Sequence, residues 1–403
     1  MPPTRAGAEA ATRAATFSFV NAHPPADPEG VRDHTLERLK VMIGGLGHGR
    51  KEEYGVEGAA GADAARSSTG DPAGDRTIAV ATHREHPRAT GDDRLALSRM
   101  AARYGWMVDE VPWDDPTVSW DRYRGVIIRS TWDYHRVPEA FLAWTERVEA
   151  AGTPLWNPAS VIRWNADKRY LSRLERAGVP IVPTEWVAPG RDVELRRILE
   201  RRGWTRAVVK PSVGATSYRT ERVRATDHEA HARVLATILR DGDAMVQPFL
   251  AQICREGEWS FVFFADGEGA LTFSHAVMKR PKAGDFRVQH QFGGSVRTAV
   301  PPPRLLGQLR EIAAVVSATA PGPLLYARLD GVVGDGRYGG EGTFLLMEAE
   351  LIEPMLFFGY ARDSTARFAS AVAACMECDR RGDRASAPSP DPETNATNGN
   401  GPT

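Results

Sequence analysis

The stretch Phe344-Leu345-Leu346-Met347-Glu348-Ala349-Glu350-Leu351-Ile352-Glu353-Pro354 carries two carboxylates one residue apart inside an otherwise apolar run. Side chains alternate along a strand, which puts Glu348 and Glu350 on one face, Leu346 on their side and Met347 opposite. Two anions that close repel each other and resist burial unless a cation compensates them. A third acid, Asp330, lies upstream in Leu325-Tyr326-Ala327-Arg328-Leu329-Asp330-Gly331-Val332-Val333. Hard oxygen ligands suit Mg²⁺ or Mn²⁺, and Mg²⁺ commonly combines one or two carboxylates with substrate phosphates. The pattern points to an ATP-dependent enzyme. The alternative is a half-exposed edge strand with solvated glutamates.

At 403 residues the chain is long enough for two or three domains with a substantial core. A net charge of −1 gives no global field toward nucleic acid or an anionic membrane, and no basic-aromatic module appears. No segment approaches the ~20 apolar residues of a membrane span. There is no apolar stretch with a cleavage site near the N-terminus. Three cysteines, with a lone Cys375-x-x-Cys378, supply neither a disulfide framework nor the four ligands of a structural zinc site. They read as thiols at a fraying helix end, and a cytoplasmic location fits.

Residues 1–75 are rich in Ala, Gly, Pro and charge and read as a disordered extension, with one isolated helical pattern at 31–43. Residues 379–403 read as a disordered tail. Between them, strands at 77–82, 106–111 and 123–129 alternate with helices at 92–104 and 138–151, the signature of parallel βαβ units. Ligands are expected beyond the carboxyl ends of such strands. The loop Ser130-Thr131-Trp132-Asp133-Tyr134-His135 lies at one of these ends and reads as a substrate-contact loop, through Ser130, Thr131 and Asp133. A helix is expected over 167–177. The strand Ala207-Val208-Val209-Lys210-Pro211 follows, then the small-residue loop Ser212-Val213-Gly214-Ala215-Thr216-Ser217. A hairpin is expected across Asp266-Gly267, and a flexible hairpin insertion over 334–342.

Lys210, at a strand end before a glycine-containing loop, can hold a phosphate that backbone N–H groups wrap. Lys168 in Trp164-Asn165-Ala166-Asp167-Lys168 is a second such cation or, alternatively, a solvated helix lysine. Together with Val246-Gln247-Pro248-Phe249-Leu250, Gly257-Glu258-Trp259-Ser260, Ser274-His275-Ala276-Val277-Met278-Lys279, Gly284-Asp285-Phe286-Arg287 ahead of Gly293-Gly294, and the three acids, this order resembles the ATP-grasp superfamily. The second half is similar to prokaryotic glutathione synthetase and the ribosomal-protein glutamate ligases. Arg129-Ser130-Thr131-Trp132-Asp133-Tyr134 and Glu350-Leu351-Ile352-Glu353-Pro354 bring it closer to the cycloserine-synthetase-like ATP-grasp proteins.

The resemblance spans 77 to about 375. It implies a mixed α/β and α+β chain: a parallel pre-ATP-grasp domain over 76–160, then an ATP-grasp fold over 161–378 with subdomains at about 161–245 and 246–378. It implies that Lys168 and Lys210 hold the ATP phosphates, that Gln247, Pro248, Phe249 and Leu250 form the adenine hinge, and that Glu258 contacts ribose. Arg287 stabilises the transferring phosphate with Lys279 nearby, Gly293 and Gly294 border the substrate, and Asp330, Glu348 and Glu350 hold two Mg²⁺ or Mn²⁺ ions. Many relatives carry asparagine where this chain has Glu350, which leaves metal preference open.

The implied reaction is ADP-forming ligation of a small amino-acid-like carboxylate to an amine, in a homodimer or homotetramer. The rival readings are a ligase acting on a peptide or protein and a non-catalytic nucleotide sensor. His275 and His290 read as structural or substrate-contact residues rather than catalytic bases.

Overall fold

The computed structural model describes residues 76–386, except 192, 215–216 and 290–291, all within the compact unit Ser68–Thr403. The expectations for the extension over 1–75 and its helix, for the tail beyond 386 and for His290 fall outside the described residues.

Six consecutive apolar or hydroxyl residues form β1 (Thr77–Thr82), buried along its whole length as an interior strand of a parallel sheet. The sheet order is β2-β1-β3-β4, with β2 at Met107–Pro112, β3 at Gly125–Ile128 and β4 at Leu155–Trp156. The crossover helix α1 (Gly91–Tyr104) starts where Thr90 Oγ1 accepts the Asp93 N–H, has Asp92 and Asp93 in its first turn, and stops at Gly105 with φ 69°. Each is a sequence-encoded terminus: a hydroxyl N-cap, acids toward the positive end, and a glycine in the left-handed region. α2 (Pro138–Ala150) opens on proline after β3.

Two short helices, α3 (Ala159–Ala166) and α4 (Tyr170–Arg176), replace the single helix expected over 167–177. Asp167 turns to extended geometry and bridges Val213, while the Lys168 N–H donates to Ser212 O at 2.9 Å. Backbone bonds offered by a distant loop outweigh helix continuation here.

An antiparallel sheet β5-β8-β6-β7 follows (β5 Glu185–Val187, β6 Arg206–Pro211, β7 Glu221–Arg224, β8 Ala244–Pro248). With α5 (Leu195–Arg202) and α6 (His228–Leu239) it encloses its own core around Ile198, Val209, Val234 and Val246. After α7 (Gln252–Arg255) comes a five-stranded antiparallel sheet, β11-β10-β9-β12-β13. Its strands are β9 (Glu258–Ala265), β10 (Leu271–Arg280), β11 (Ser295–Ala299), β12 (Tyr326–Asp335) and β13 (Glu341–Glu350). The expected hairpin is β9–β10. The hairpin over 334–342 is the β12–β13 turn, and its Tyr338 packs on the cores of both antiparallel sheets.

One face of the large sheet, including Phe261, Phe263, Leu329 and Phe344, packs on Leu309 and Ile312 of α8 (Pro303–Thr319). The other face joins Val262, Phe264 and Tyr326 to Ile78 and Leu97 of the parallel layer and to Phe368 and Val372 of α9 (Ser364–Ser386). α9 runs past residue 379, where the tail was expected to begin. Residues 379–386 contain no proline to break the helix, and the single Gly382 is tolerated. Cys375 and Cys378 therefore sit within the helix, not at its end.

His275 is a structural residue of this second core. Its Nδ1 pairs with Ser274 Oγ at 2.9 Å and its Nε2 with Leu356 O at 2.9 Å. Burial first, then Arg367, pushes its pKa down to about 4. The unfolded chain takes up this proton near pH 6.5 while the folded chain resists it until about pH 4, so stability falls as pH drops through that window. Relative to His275→Gln, the wild-type protein should lose about 3 kcal/mol more between pH 7 and 4 in urea unfolding. Parallel pH profiles for the two proteins would refute the assignment.

Candidate active site

The acids of β13 owe their direction to a β-bulge. Asp330 faces Glu348 and Arg328 faces Glu350, but Gly331 faces Leu346, so Met347 is the extra residue. A bulge turns adjacent side chains to one side. Leu346 accordingly joins the α8-side core with Ala349, and Met347 shares the Glu348 side, the reverse of simple alternation. Glu348 and Glu350 do share a face, because no irregularity separates them.

β13 is an edge strand, but its free edge is covered rather than solvated. Val182 N–H donates to Leu346 O (3.1 Å) and Leu346 N–H to Pro180 O (2.9 Å). The Tyr170 hydroxyl donates to Ala349 O (3.0 Å) and accepts the Ala349 N–H (2.8 Å). Asn165 Nδ2 donates to Ala349 O (2.8 Å) and its Oδ1 accepts the Leu351 N–H (3.0 Å). Side chains of α3 and α4 thus clamp the residues that flank Glu350, which fixes the strand that carries the acids.

Strand register brings the charged groups together. Lys279 on β10 pairs with Glu258 on β9 at 2.5 Å and with Asp330 on β12 at 3.0 Å. Arg328 bonds Asp330 (2.9 Å) and Glu350. Lys168, 8% exposed and outside any helix, reaches Glu348 Oε1 at 3.1 Å and donates to Gly214 O at 2.5 Å. It is not a solvated helix lysine.

Burial opposes ionisation of Asp330, but Arg328 and Lys279 bring its pKa down to about 2. Glu348 is likewise held below its ordinary value, with burial overcome by Lys168 and Lys210. Burial pushes Glu350 up to about 7: Arg328 opposes the rise, and Asp330 and Glu348 reinforce it. Glu353, just beyond the strand, is pushed up to about 8 by burial and then by Glu350.

Lys210, on β6, is different. It has no hydrogen-bond or ion-pair partner among the described residues, and burial lowers its pKa even though Glu348 pulls the other way. A desolvated cation without a partner is a poor stabiliser and a good receptor for an anion. Lys210→Met should leave the melting temperature unchanged or higher, while weakening ATP binding by about tenfold or more. A lower melting temperature with unaltered ATP affinity in nucleotide titration would make it structural.

Along the expected hinge residues, the Gln247 side chain is used on Thr184 Oγ1 (2.9 Å) and the Phe249 N–H on Arg206 O (3.0 Å). Pro248 has no N–H, which leaves Leu250 as the hinge amide without a backbone acceptor among the described residues. The Phe249 ring is flanked by the guanidinium groups of Arg206 (4.6 Å) and Arg222 (5.4 Å).

Arg287 is not brought to the acids. It forms a two-pronged pair with Asp285 (3.1 and 2.8 Å) and stacks on Phe292 at 3.7 Å. With Gly293 it lines an open pocket of about 560 Å³. Gly293 holds φ 79°, and a Cβ on Gly294 would lie 2.1 Å from Val288 O, so this loop closes tightly on itself.

Ser130 and Thr131 are fully buried after β3, and Asp133 accepts the Trp113 Nε1–H at 3.1 Å. Glu258 lies within the charged cluster through Lys279. Arg328 and Glu353 were not singled out from the sequence, although both lie inside the motifs quoted. Arg328 is two residues from Asp330 and so on its face, a signal that alternation offered.

Among the described residues no three His, Cys, Asp or Glu side chains converge into a ready cation cage. Glu258, Asp330, Glu348 and Glu350 are instead spread over the sheet strands, each paired with a cation. This suits a metal whose remaining ligands arrive with a phosphate substrate. Glu258, Asp330, Glu348, Glu350 and Glu353 lie among Lys168, Lys210, Lys279 and Arg328, and the upward shifts of Glu350 and Glu353 show that these cations do not fully offset burial of the acids.

A family model described as the N-terminal domain of D-cycloserine synthetase DcsG matches residues 78–157. The cycloserine biosynthesis protein DcsG of Streptomyces lavendulae is 34% identical over 288 residues, covering 70% of this chain and 93% of that protein. The chain belongs to the D-cycloserine synthetase family of ATP-grasp enzymes. The crystal structure of D-cycloserine synthetase DcsG superposes with a TM-score of 0.64 at 31% identity, covering 74% of this chain and 99% of that one. The D-alanine–D-alanine ligase of Bacillus anthracis in complex with ATP shares the fold, with a TM-score of 0.54 at 15% identity over 77% of this chain and all of that one. The DcsG relative is an ATP-grasp ligase, and this family member is likewise an ATP-dependent ligase that forms C–N bonds. No described helix is long and apolar enough to cross a membrane.

Proposed function

We propose that this enzyme activates the carboxylate of a small amino-acid-like substrate as an acyl-phosphate and passes the acyl group to an amine. The observation that carries this reading is the placement of Asp330, Glu348 and Glu350 on one sheet face with Lys168 against Glu348 and Lys210 unpaired nearby.

In this reading the adenine lies at the hinge of Gln247, Pro248, Phe249 and Leu250, read by the free Leu250 amide, and the triphosphate runs toward Lys210 and Lys168. Asp330, Glu348 and Glu350 would hold Mg²⁺ or Mn²⁺; two divalent ions suit a polyanionic substrate set against a face of carboxylates. Bound there, they offset the charge that spreads over the phosphates during transfer.

The chain's own residues then divide the work. Lys168 and Lys210 grip phosphate oxygens and keep the reacting groups in line. Lys279 and Arg328 hold Asp330 ionised and orient the acids they pair with. Arg328 answers the extra charge that Glu350 brings where relatives have asparagine, because it pairs with both Glu350 and Asp330. A substrate carboxylate oxygen attacks the γ-phosphorus and ADP departs. The amine then attacks the acyl carbon and phosphate departs. Arg287, once free of Asp285, would serve the transferring phosphate, and Gly293 and Gly294 would border the acyl group.

Purified enzyme with ATP, Mg²⁺ and a panel of amino acids should release ADP and phosphate with at least one of them. Formation of AMP and pyrophosphate would overturn the reading.

A further inference from the structure

We infer that Thr82, His83, Ser130 and Thr131 form the recess that receives the ammonium group of the amino-acid substrate. The inference rests on the ligase reading above and deepens it.

Thr82 Oγ1, both ring nitrogens of His83, Ser130 Oγ and Thr131 Oγ1 are buried polar atoms without a partner among the described residues. Their residues are 0, 4, 0 and 0% exposed. Buried polar groups are nearly always hydrogen-bonded, and each bond left unmade costs about 1–3 kcal/mol. Five such atoms at the ends of two neighbouring strands suit a surface completed by a ligand. The two segments adjoin because β1 and β3 are neighbours. The N–H groups of Arg129 and Ser130 both donate to Ala81 O, at 3.1 and 3.2 Å, which sets the Ser130-Thr131 pair beside Thr82-His83. This is the carboxyl end of a parallel sheet, where such folds take their ligands.

The charge of the recess selects the group it binds. Asp133, Glu85 and Asp114 act on His83 against His86, Arg84 is paired with Asp114 at 2.9 Å, and Arg129, the residue before Ser130, is paired with Asp93 at 2.9 Å. Burial lowers the pKa of His83, which favours the neutral ring with one acceptor nitrogen. A neutral imidazole and three hydroxyls can all accept hydrogen bonds, and the nearby carboxylates favour a cation and repel a carboxylate. The rings of His86 and Trp132 meet His83 edge-on at 4.8 and 6.0 Å and wall the site. The loop then leads toward the phosphate site: Tyr134 senses Glu353, Glu348 and Glu350, and His135 lies 5.3 Å from the Tyr218 ring.

The test measures ADP release with a panel of D- and L-α-amino acids, each matched to the same acid lacking its amine. The wild-type enzyme should prefer the amine-bearing member. In Thr131→Val and His83→Ala the KM for that amino acid should rise about tenfold or more while the KM for ATP stays put, with Thr131→Ser restoring the wild-type value. The preference over the amine-free acid should shrink in step. ADP release with an unchanged preference in the folded variants overturns the recess and leaves the ligase reading intact. No ADP release by the wild-type enzyme with any acid overturns the ligase reading, and the recess with it. If Thr131→Val fails to fold, the His83→Ala values decide.

Discussion

Glu348→Gln should lower kcat by about 10²–10³-fold with the fold retained, the scale seen when one preorganised electrostatic group is removed from a reacting centre. Glu348 is the acid that Lys168 touches at 3.1 Å and that Lys210 also senses, so it links these two lysines to the carboxylate face. The amide keeps the shape and removes the charge. Nucleotide affinity measured without divalent metal should hold or improve, because a negative charge next to the phosphates is gone. Loss of turnover with metal-free nucleotide binding retained therefore separates a role at the reacting phosphate from a role in folding. Turnover within a few-fold of wild type would remove Glu348 from the reaction.

Arg328→Met should destabilise the protein by about 3–5 kcal/mol, as expected when one partner of a buried charge network is removed. Arg328 is 6% exposed, bonds Asp330 and Glu350, and donates to Met355 O at 3.0 Å. Its loss leaves buried Asp330 and half-buried Glu350 with a single remaining contact cation, Lys279 on Asp330. Adding Glu350→Gln should recover part of the loss, because the second change removes the charge left uncompensated. Urea unfolding of the single and double variants measures both values. A single-variant loss below about 1 kcal/mol would mean that Arg328 is not needed to carry the acids.

How much of this was legible in the chain depends on the range of the interaction. The acids announced themselves because charge in an apolar strand is costly wherever the strand lies. The extents of β1, α1 and α2 followed from local apolar periodicity, and the structure adds the caps, Thr90 and Gly105, that end α1. The break at Asp167 was not legible, because it is made by backbone bonds to Ser212 and Val213, forty-odd residues away. The bulge at Met347 was hidden for the same reason, since register with β12 is a property of two strands. Alternation thus aimed Glu348 and Glu350 correctly relative to each other and aimed Leu346 and Met347 wrongly. The edge-strand alternative named the right topology but not the solvation, because the cover comes from Asn165, Tyr170 and Val182 elsewhere in the chain.

The loop around Arg287 shows where motif order stops being informative. Spacing placed Arg287 ahead of Gly293-Gly294 but could not show that Asp285, two residues earlier, would hold it. Thr82 and His83 offered only a weak signal, a hydroxyl and an imidazole at the end of a buried strand. Their significance lies in being left without partners, which only the packed structure reveals.

The central claim is that a carboxylate is activated by phosphoryl transfer at the β12–β13 face. It is tested most directly by running one turnover with substrate whose carboxylate carries ¹⁸O and weighing the products. The account predicts one ¹⁸O in the released phosphate and none in the nucleotide. Label appearing in AMP, or phosphate released without label, would contradict it.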